Sequence, residues 1–209
     1  SHAWFYETPL DRFKEDVIRG EEVTSRLLAE RGQRLRYFRH PRLNTGPDAE
    51  TRAAFESFLT ERSYTVAPVT IDNDEYIYAL AYYKAAIDSD QALMERIGRD
   101  YIRYMEEMFA YYEQCSRTLL DRELVQVLRI HANRLNADYL DDLVTMLRKR
   151  GYRFISLDEA LEDPAYRLPD HYTGRRGISW LQRWAITMER EVEDAPDMPD
   201  WVVKVAWPE

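Results

Sequence analysis

Stretches of strand character and stretches of helical character take turns along most of this chain, and that order limits the folds open to it. Residues 35–39, 64–71, 124–130 and 152–155 are short, apolar and rich in β-branched or aromatic side chains, which is the composition of strands buried on both faces. Between them, apolar residues recur at spacings of three and four. Leu10, Phe13, Val17 and Leu28 mark a first helix. It opens at Thr8-Pro9-Leu10-Asp11, where Thr can cap, Pro suits the first helical position and an acid favours the dipole; Gly32 ends it. Gly46-Pro47 precedes a second helix carrying Phe55, Phe58 and Leu59. Residues 76–120 read as one helical stretch with Leu93, Ile97, Tyr101, Tyr104, Met108 and Tyr111 on a stripe, and Asn136 is positioned to cap a helix over 137–150 that closes at Gly151. Parallel strands require crossover connections, usually helices, so this alternation predicts an α/β fold built on a parallel sheet or barrel.

At 209 residues and 45% hydrophobic, the chain can bury a substantial core. Lys+Arg 29 against Asp+Glu 38 leaves a formal charge of -9, which repels phosphate backbones and anionic lipid surfaces, so neither a nucleic acid nor a membrane is an expected partner. Cys115 is the single cysteine, which excludes an intrachain disulfide and a thiolate metal cluster. No apolar run is long enough to span a bilayer, and the chain as given shows no signal peptide. After Asp163 the text changes: Pro164, Pro169, Pro196, Pro199 and Pro208 fall among Trp180, Trp184, Trp201 and Trp207. That predicts a main domain over 1–163 with a C-terminal extension, 164–209, packed on it.

In parallel α/β folds the chemistry sits beyond the carboxyl ends of the strands. Three polar clusters occupy such places: Arg39-His40-Pro41-Arg42-Leu43-Asn44-Thr45-Gly46, Asp72-Asn73-Asp74-Glu75-Tyr76, and His131-Ala132-Asn133. A strand-end His with a carboxylate from the neighbouring strand end is what a general acid or base needs, and Asp72 or Asp74 with His131 would supply it. Each residue also has an ordinary structural use. Arg39 suits an ion pair, Asp72 and Asp74 suit a helix cap, and His131, between Leu128, Ile130 and the following helix, suits a hydrogen-bonded core position. Cys115, inside the helical stretch, reads as an inert thiol.

The three clusters, in this order and spacing, resemble the polysaccharide deacetylase family, the metal-dependent deacetylases of chitin, peptidoglycan and xylan. The likeness extends to Leu135-Asn136-Ala137-Asp138, to residues 151–161 and to Gly177-Ile178-Ser179-Trp180-Leu181. The resemblance implies a distorted (β/α) barrel and a hydrolase that removes acetyl groups from carbohydrate amides or esters. It implies further that Arg39 orients a catalytic Asp, that the backbone amide of Arg42 is an oxyanion donor, and that Asp72 tunes the general acid His131. Tyr76 falls where an aromatic groove residue stands.

The chain departs from that family where the metal is bound. The Thr-Phe-Asp-Asp-Gly-Pro string that carries the base and one ligand is absent, and of the His-x-x-Ser-His string only Ser1-His2 corresponds. The fold expected is therefore an incomplete, N-terminally truncated (β/α) barrel of deacetylase type. A divalent metal such as zinc, bound in intact relatives, is expected to bind here weakly or not at all, with His2 the one matching ligand. Arg129 stands two residues before the acid, where the family places a Leu against the acetyl methyl; a cation there favours an anionic or larger acyl group. A metal-independent weak esterase and a non-catalytic carbohydrate-binding module remain as alternatives. A barrel without its first strand exposes an edge, which the Trp-rich tail or a second copy would cover; the Tyr- and Met-rich stretch 91–120 is the surface expected to form a homodimer.

Overall fold

The structure is a computed structural model that describes residues 2–208. The chain is mostly helical and divides into two compact units, one running up to Val69 and including Arg167–Arg190, the other comprising Thr70–Tyr166 and the chain from Glu191 onward. Residues 164–209, expected to act as one extension, are thus shared between the two. No described helix is long and apolar enough to cross a membrane.

The first unit contains α1 (Leu10–Ala29), β1 (Tyr37–Phe38), α2 (Ala49–Glu61), β2 (Thr65–Val66) and, late in the chain, α7 (Trp180–Thr187). The two strands pair in parallel, Tyr37 with Thr65 and Phe38 with Val66. Around them Phe5, Phe13, Phe55 and Leu59 form a buried cluster, with Leu10, Val17, Phe38 and Tyr64 packed against it. Phe5 and Phe13 stack at 4.2 Å, and Phe55 meets Phe13 edge-on at 5.1 Å, the offset and T-shaped arrangements that aromatic quadrupoles favour. Thr8, expected to cap α1, donates instead to Trp4 O at 2.8 Å. The N-cap is Pro9, which has no side chain to cap with, because the helix starts one residue later than the Thr requires.

In the second unit, α3 (Tyr76–Ile87), α4 (Gln91–Leu120), α5 (Arg134–Lys149) and the late α8 (Asp200–Ala206) pack together, with α6 (Leu157–Ala160) a single short turn of helix. The 76–120 stretch is two helices. Ser89 adopts φ 56°, where Ser89 N–H reaches Ala86 O and Asp90 N–H reaches Ala85 O, the paired bonds of a left-handed helix terminus. Asp90 then caps α4 through Leu93 N–H at 2.9 Å. The Tyr and Met side chains expected to face a second copy, among them Met94, Tyr101, Tyr104, Met105 and Met108, are buried inside this unit; α3 and α5 cover the stripe, so it offers no dimer surface. Gly98 makes room on α4 for Tyr139 of α5, because a Cβ there would lie 1.8 Å from the Tyr139 ring.

Extended pairing in this unit is a single parallel bridge, Ile71 with Leu128, among the described residues. Thr70 and Ile71 N–H both donate to Val127 O, and Arg129 N–H returns to Ile71 O at 3.2 Å. The 152–155 segment, expected as a strand, is not paired. Its first residue closes α5 through Tyr152 N–H to Leu147 O, and the Tyr152 ring is fixed on α4 by Phe109 and by a 3.0 Å bond to Glu113. With its first residue committed to helix closure and α4, the segment does not extend a sheet. Asn133, not Asn136, caps α5, which leaves Asn136 for another use.

The Ser89 terminus is testable. An L-residue in the left-handed region is disfavoured by about 1 kcal/mol or more, partly offset for glycine by its freer unfolded chain. Ser89→Gly is expected to stabilise the protein by ~0.5 kcal/mol, a rise of roughly 1–2 °C in Tm; a melt showing a lower Tm would contradict the assignment.

Candidate functional site

The parallel bridge at Ile71 and Leu128 sends both segments out at the same end, and the polar residues that follow each of them meet there. On the first segment, Asn73 makes a tight turn, its Oδ1 accepting from Glu75 N–H at 3.0 Å while its Nδ2 donates to Arg129 O at 3.0 Å. Asp74 sits at φ 49° in that turn, a conformation Asp tolerates better than most residues. The turn directs Glu75 inward just before α3 begins.

Glu75 is the centre of the cluster. Its side chain is 1% exposed, and four donors converge on it. Oε1 accepts from the His131 backbone N–H at 2.9 Å, from Asn133 Nδ2 at 3.1 Å and from Asn136 Nδ2 at 2.8 Å. Oε2 lies 2.8 Å from His131 Nδ1. An acceptor-only group matched by four donors is a carboxylate, and it selects the His131 tautomer with the proton on Nδ1 and the lone pair on Nε2. Asn136 is held in turn: Nδ2 also reaches His131 O at 2.8 Å, and Oδ1 accepts from Tyr101 at 2.6 Å. Burial, with the nearby Glu75 charge adding to it, raises the Tyr101 pKa well above that of a free phenol, so it stays a donor throughout the physiological range. The His131 ring is 35% exposed and borders a surface depression of about 640 Å³ that continues along α5.

The expected orienter was Asp72. The structure gives that part to Glu75, because Asp72 Oδ1 is 2.6 Å from Arg129 NH2, with both side chains largely buried. The bridge register explains the pair: one residue beyond Ile71 and one beyond Leu128 lie side by side. Arg129, expected to face the acyl group, is held in an ion pair with that acid. Tyr76, the first residue of α3, is 47% exposed beside Glu75. Glu75 lies within the second cluster, where spacing does not single it out as the partner of His131; the Asn133 and Asn136 amides, three residues apart, meet it only in the folded chain.

Arg39, Arg42 and His2 belong to the other unit. Arg39 and His2 are exposed. Arg42 and Leu43 both take φ 54°, and the Arg42 guanidinium lies over the Trp4 ring. Gly177 is required opposite this bend, since a Cβ would sit 1.8 Å from Arg42 O. Behind it Arg183, fully buried, donates to Asp170 Oδ2 at 2.7 Å, Thr45 Oγ1 at 2.8 Å and Tyr172 O at 3.1 Å, and Arg52 reaches the same Asp170 at 3.1 Å. His40 is buried among Phe38 and Phe55. Burial, and then the Arg183 and Arg52 charges, lower its pKa to about 3, and its Nδ1 has no hydrogen-bond partner.

Among the described residues no group of three or more His, Cys, Asp and Glu side chains is arranged to hold a metal ion. Cys115 is buried, which pushes its thiol pKa up and away from nucleophilic chemistry. No protein-family model, curated protein or solved structure matches the chain.

His40 makes a pH prediction for the first unit. Its folded pKa of about 3 lies below the ordinary 6.5, so the unfolded chain takes up a proton first as pH falls. The stability present above pH 6.5 is then lost between about 6.5 and 3, at up to about 1.4 kcal/mol per pH unit. His40→Phe is expected to show a smaller fall in Tm from pH 7.5 to 5.0 than the parent, and equal falls in the two proteins would refute it.

Proposed function

We propose that this chain is a polysaccharide-deacetylase-like hydrolase in which His131 moves the proton as an acyl group leaves a carbohydrate ester or amide. The observation that carries the reading is the buried Glu75 carboxylate on His131 Nδ1, the arrangement that poises an imidazole for acid–base catalysis. The pairings of 37–38 with 65–66 and of 71 with 128 are parallel, the sense that a strand–helix–strand chain uses. Tyr76, next to Glu75, supports an aromatic wall for the sugar.

The residues present do not fit the metal site of that family. One Asp and two His are needed, and the described residues bring no such set together. The chemistry is therefore written through this chain's own groups. His131 Nε2 takes a proton from water as the water oxygen bonds to the acyl carbon. Glu75 stabilises the imidazolium that forms, without itself taking the proton. As the bond from the acyl carbon to the sugar oxygen or nitrogen breaks, Nε2 returns the proton to the departing atom, and the products are the carboxylic acid and the free sugar hydroxyl or amine. Such proton transfer contributes roughly 10²–10⁴-fold in rate.

His131→Ala is accordingly expected to lower kcat on p-nitrophenyl acetate or acetylated oligosaccharides by ~100-fold or more. Glu75→Gln, which keeps the shape but can present an NH2 to Nδ1, favours the wrong tautomer and is expected to cost ~10-fold or more in kcat. Circular dichroism and melts establish that each variant is folded. Turnover by folded His131→Ala equal to the parent's would refute the proposal, and glycan binding with no turnover by the parent would make the chain a carbohydrate-binding module.

A further inference from the structure

The depression beside His131 has a composition that the acid–base assignment does not explain. Ile130 and Ala132 flank the histidine in sequence, and Ala137 and Leu140, three residues apart on α5, continue the same wall. The buried stripe of α5 carries Leu135, Asn136, Leu143, Met146 and Leu147; Leu140 stands at its edge, three residues before Leu143, and is 45% exposed, so part of its side chain is left for the depression. A lone exposed leucine is ordinary, but this one completes an apolar wall that begins at the imidazole.

The two asparagine amides of the wall are already engaged. Asn133 gives Nδ2 to Glu75 and Oδ1 to Asn136 N–H. Asn136 gives Nδ2 to Glu75 and His131 O and Oδ1 to Tyr101. Arg134 lies 3.5 Å from Asp138 and its side chain is 60% exposed, so its guanidinium stands largely in solvent. A sugar ring, which needs hydrogen-bond partners for its hydroxyls, would meet spent amides and methyl groups here. Nor does Arg129 serve an anionic acyl group, since its charge is held by Asp72. An apolar chain fits the lining of this open depression, where apolar surface predominates.

We infer that the acyl group on which His131 acts is an aliphatic chain of about four to eight carbons, seated against Ile130, Ala137 and Leu140; this rests on the reading of His131 as the acid–base residue. Leu140 is then a specificity-determining residue. The chain length sets the rate because each methylene laid on the wall leaves water in the transition state as in the complex, so kcat/KM rises along a homologous series.

The test uses the full chain with p-nitrophenyl acetate, butyrate, hexanoate and octanoate, counting only turnover that His131→Ala abolishes. A rise in kcat/KM of roughly tenfold from acetate to hexanoate is expected, with the hexanoate-to-acetate ratio falling at least fivefold in Leu140→Asp. A flat or falling series, or a ratio that Leu140→Asp leaves unchanged, overturns the inference while leaving His131 as the acid–base residue. If no ester is turned over through His131, the functional reading itself fails, and the wall is judged by binding. Methyl-labelled protein titrated with hexanoyl glucose and acetyl glucose should then show shifts of the Ile130, Ala137 and Leu140 methyls with hexanoyl glucose alone; no shift with hexanoyl glucose overturns the inference.

Discussion

The carboxylate of Glu75 is the group on which the arrangement of the second unit depends. A buried acid is unfavourable unless its lone pairs are met, and here four donors from three residues meet them. The donors come from Asn136 in the first turn of α5, from its cap Asn133 and from His131 two residues before the cap, so satisfying Glu75 also fixes how α5 enters the fold and where His131 points. Tyr101 of α4 holds Asn136 from the other side, which ties a third helix into the same network. In a low-dielectric interior such a network is rigid when complete and expensive when one member is lost, so the geometry that poises the imidazole is maintained by the folding energy of the unit.

The first unit is organised on a parallel principle with the opposite charge. Arg183 is buried and answered by Asp170, Thr45 and two backbone carbonyls, with the Trp180 and Tyr172 rings against its faces. Asp170 also carries Arg52, which Glu56 shares at 2.7 Å, so two acids offset the two cations. The 42–46 bend, with two residues in left-handed backbone and Asn44 bonded to the carbonyls of Gly174 and Arg175, is held in a conformation that an isolated loop would not keep. His40 stays neutral inside this cationic surrounding, which is why it belongs to the stability of the unit and not to proton transfer at neutral pH.

Helices and most of their ends are legible in the text of the chain. The stripes of α1, α2 and α5 follow the 3.6-residue period, and Gly32 and Gly151 sit at helix termini with positive φ because glycine takes that conformation without steric penalty. Ser89 shows the limit of such reading: its left-handed turn splits one apparent helix into two, and serine does not announce it. The site is legible by region only. His131 and the acidic cluster at 72–75 stand out as strand-end chemistry, yet the partner of His131 is the one acid of that cluster placed inward by the Asn73 turn, and nothing in spacing ranks Glu75 above Asp72 or Asp74.

What the sequence determined by itself is local: helix periodicity, glycine termini, the acidic balance, and the placing of a histidine and several acids at segment ends, all of which follow from interactions between residues a few positions apart. The tertiary structure decided the rest. The bridge of Ile71 with Leu128 pairs Asp72 with Arg129 while Glu75 takes His131 Nδ1, and the burial of the α4 tyrosines and methionines under α3 and α5 turns an expected docking surface into core. The reason is physical: which acid meets which base, and which apolar stripe meets water, depends on contacts between residues some fifty positions apart, and no local pattern encodes the register that brings them together.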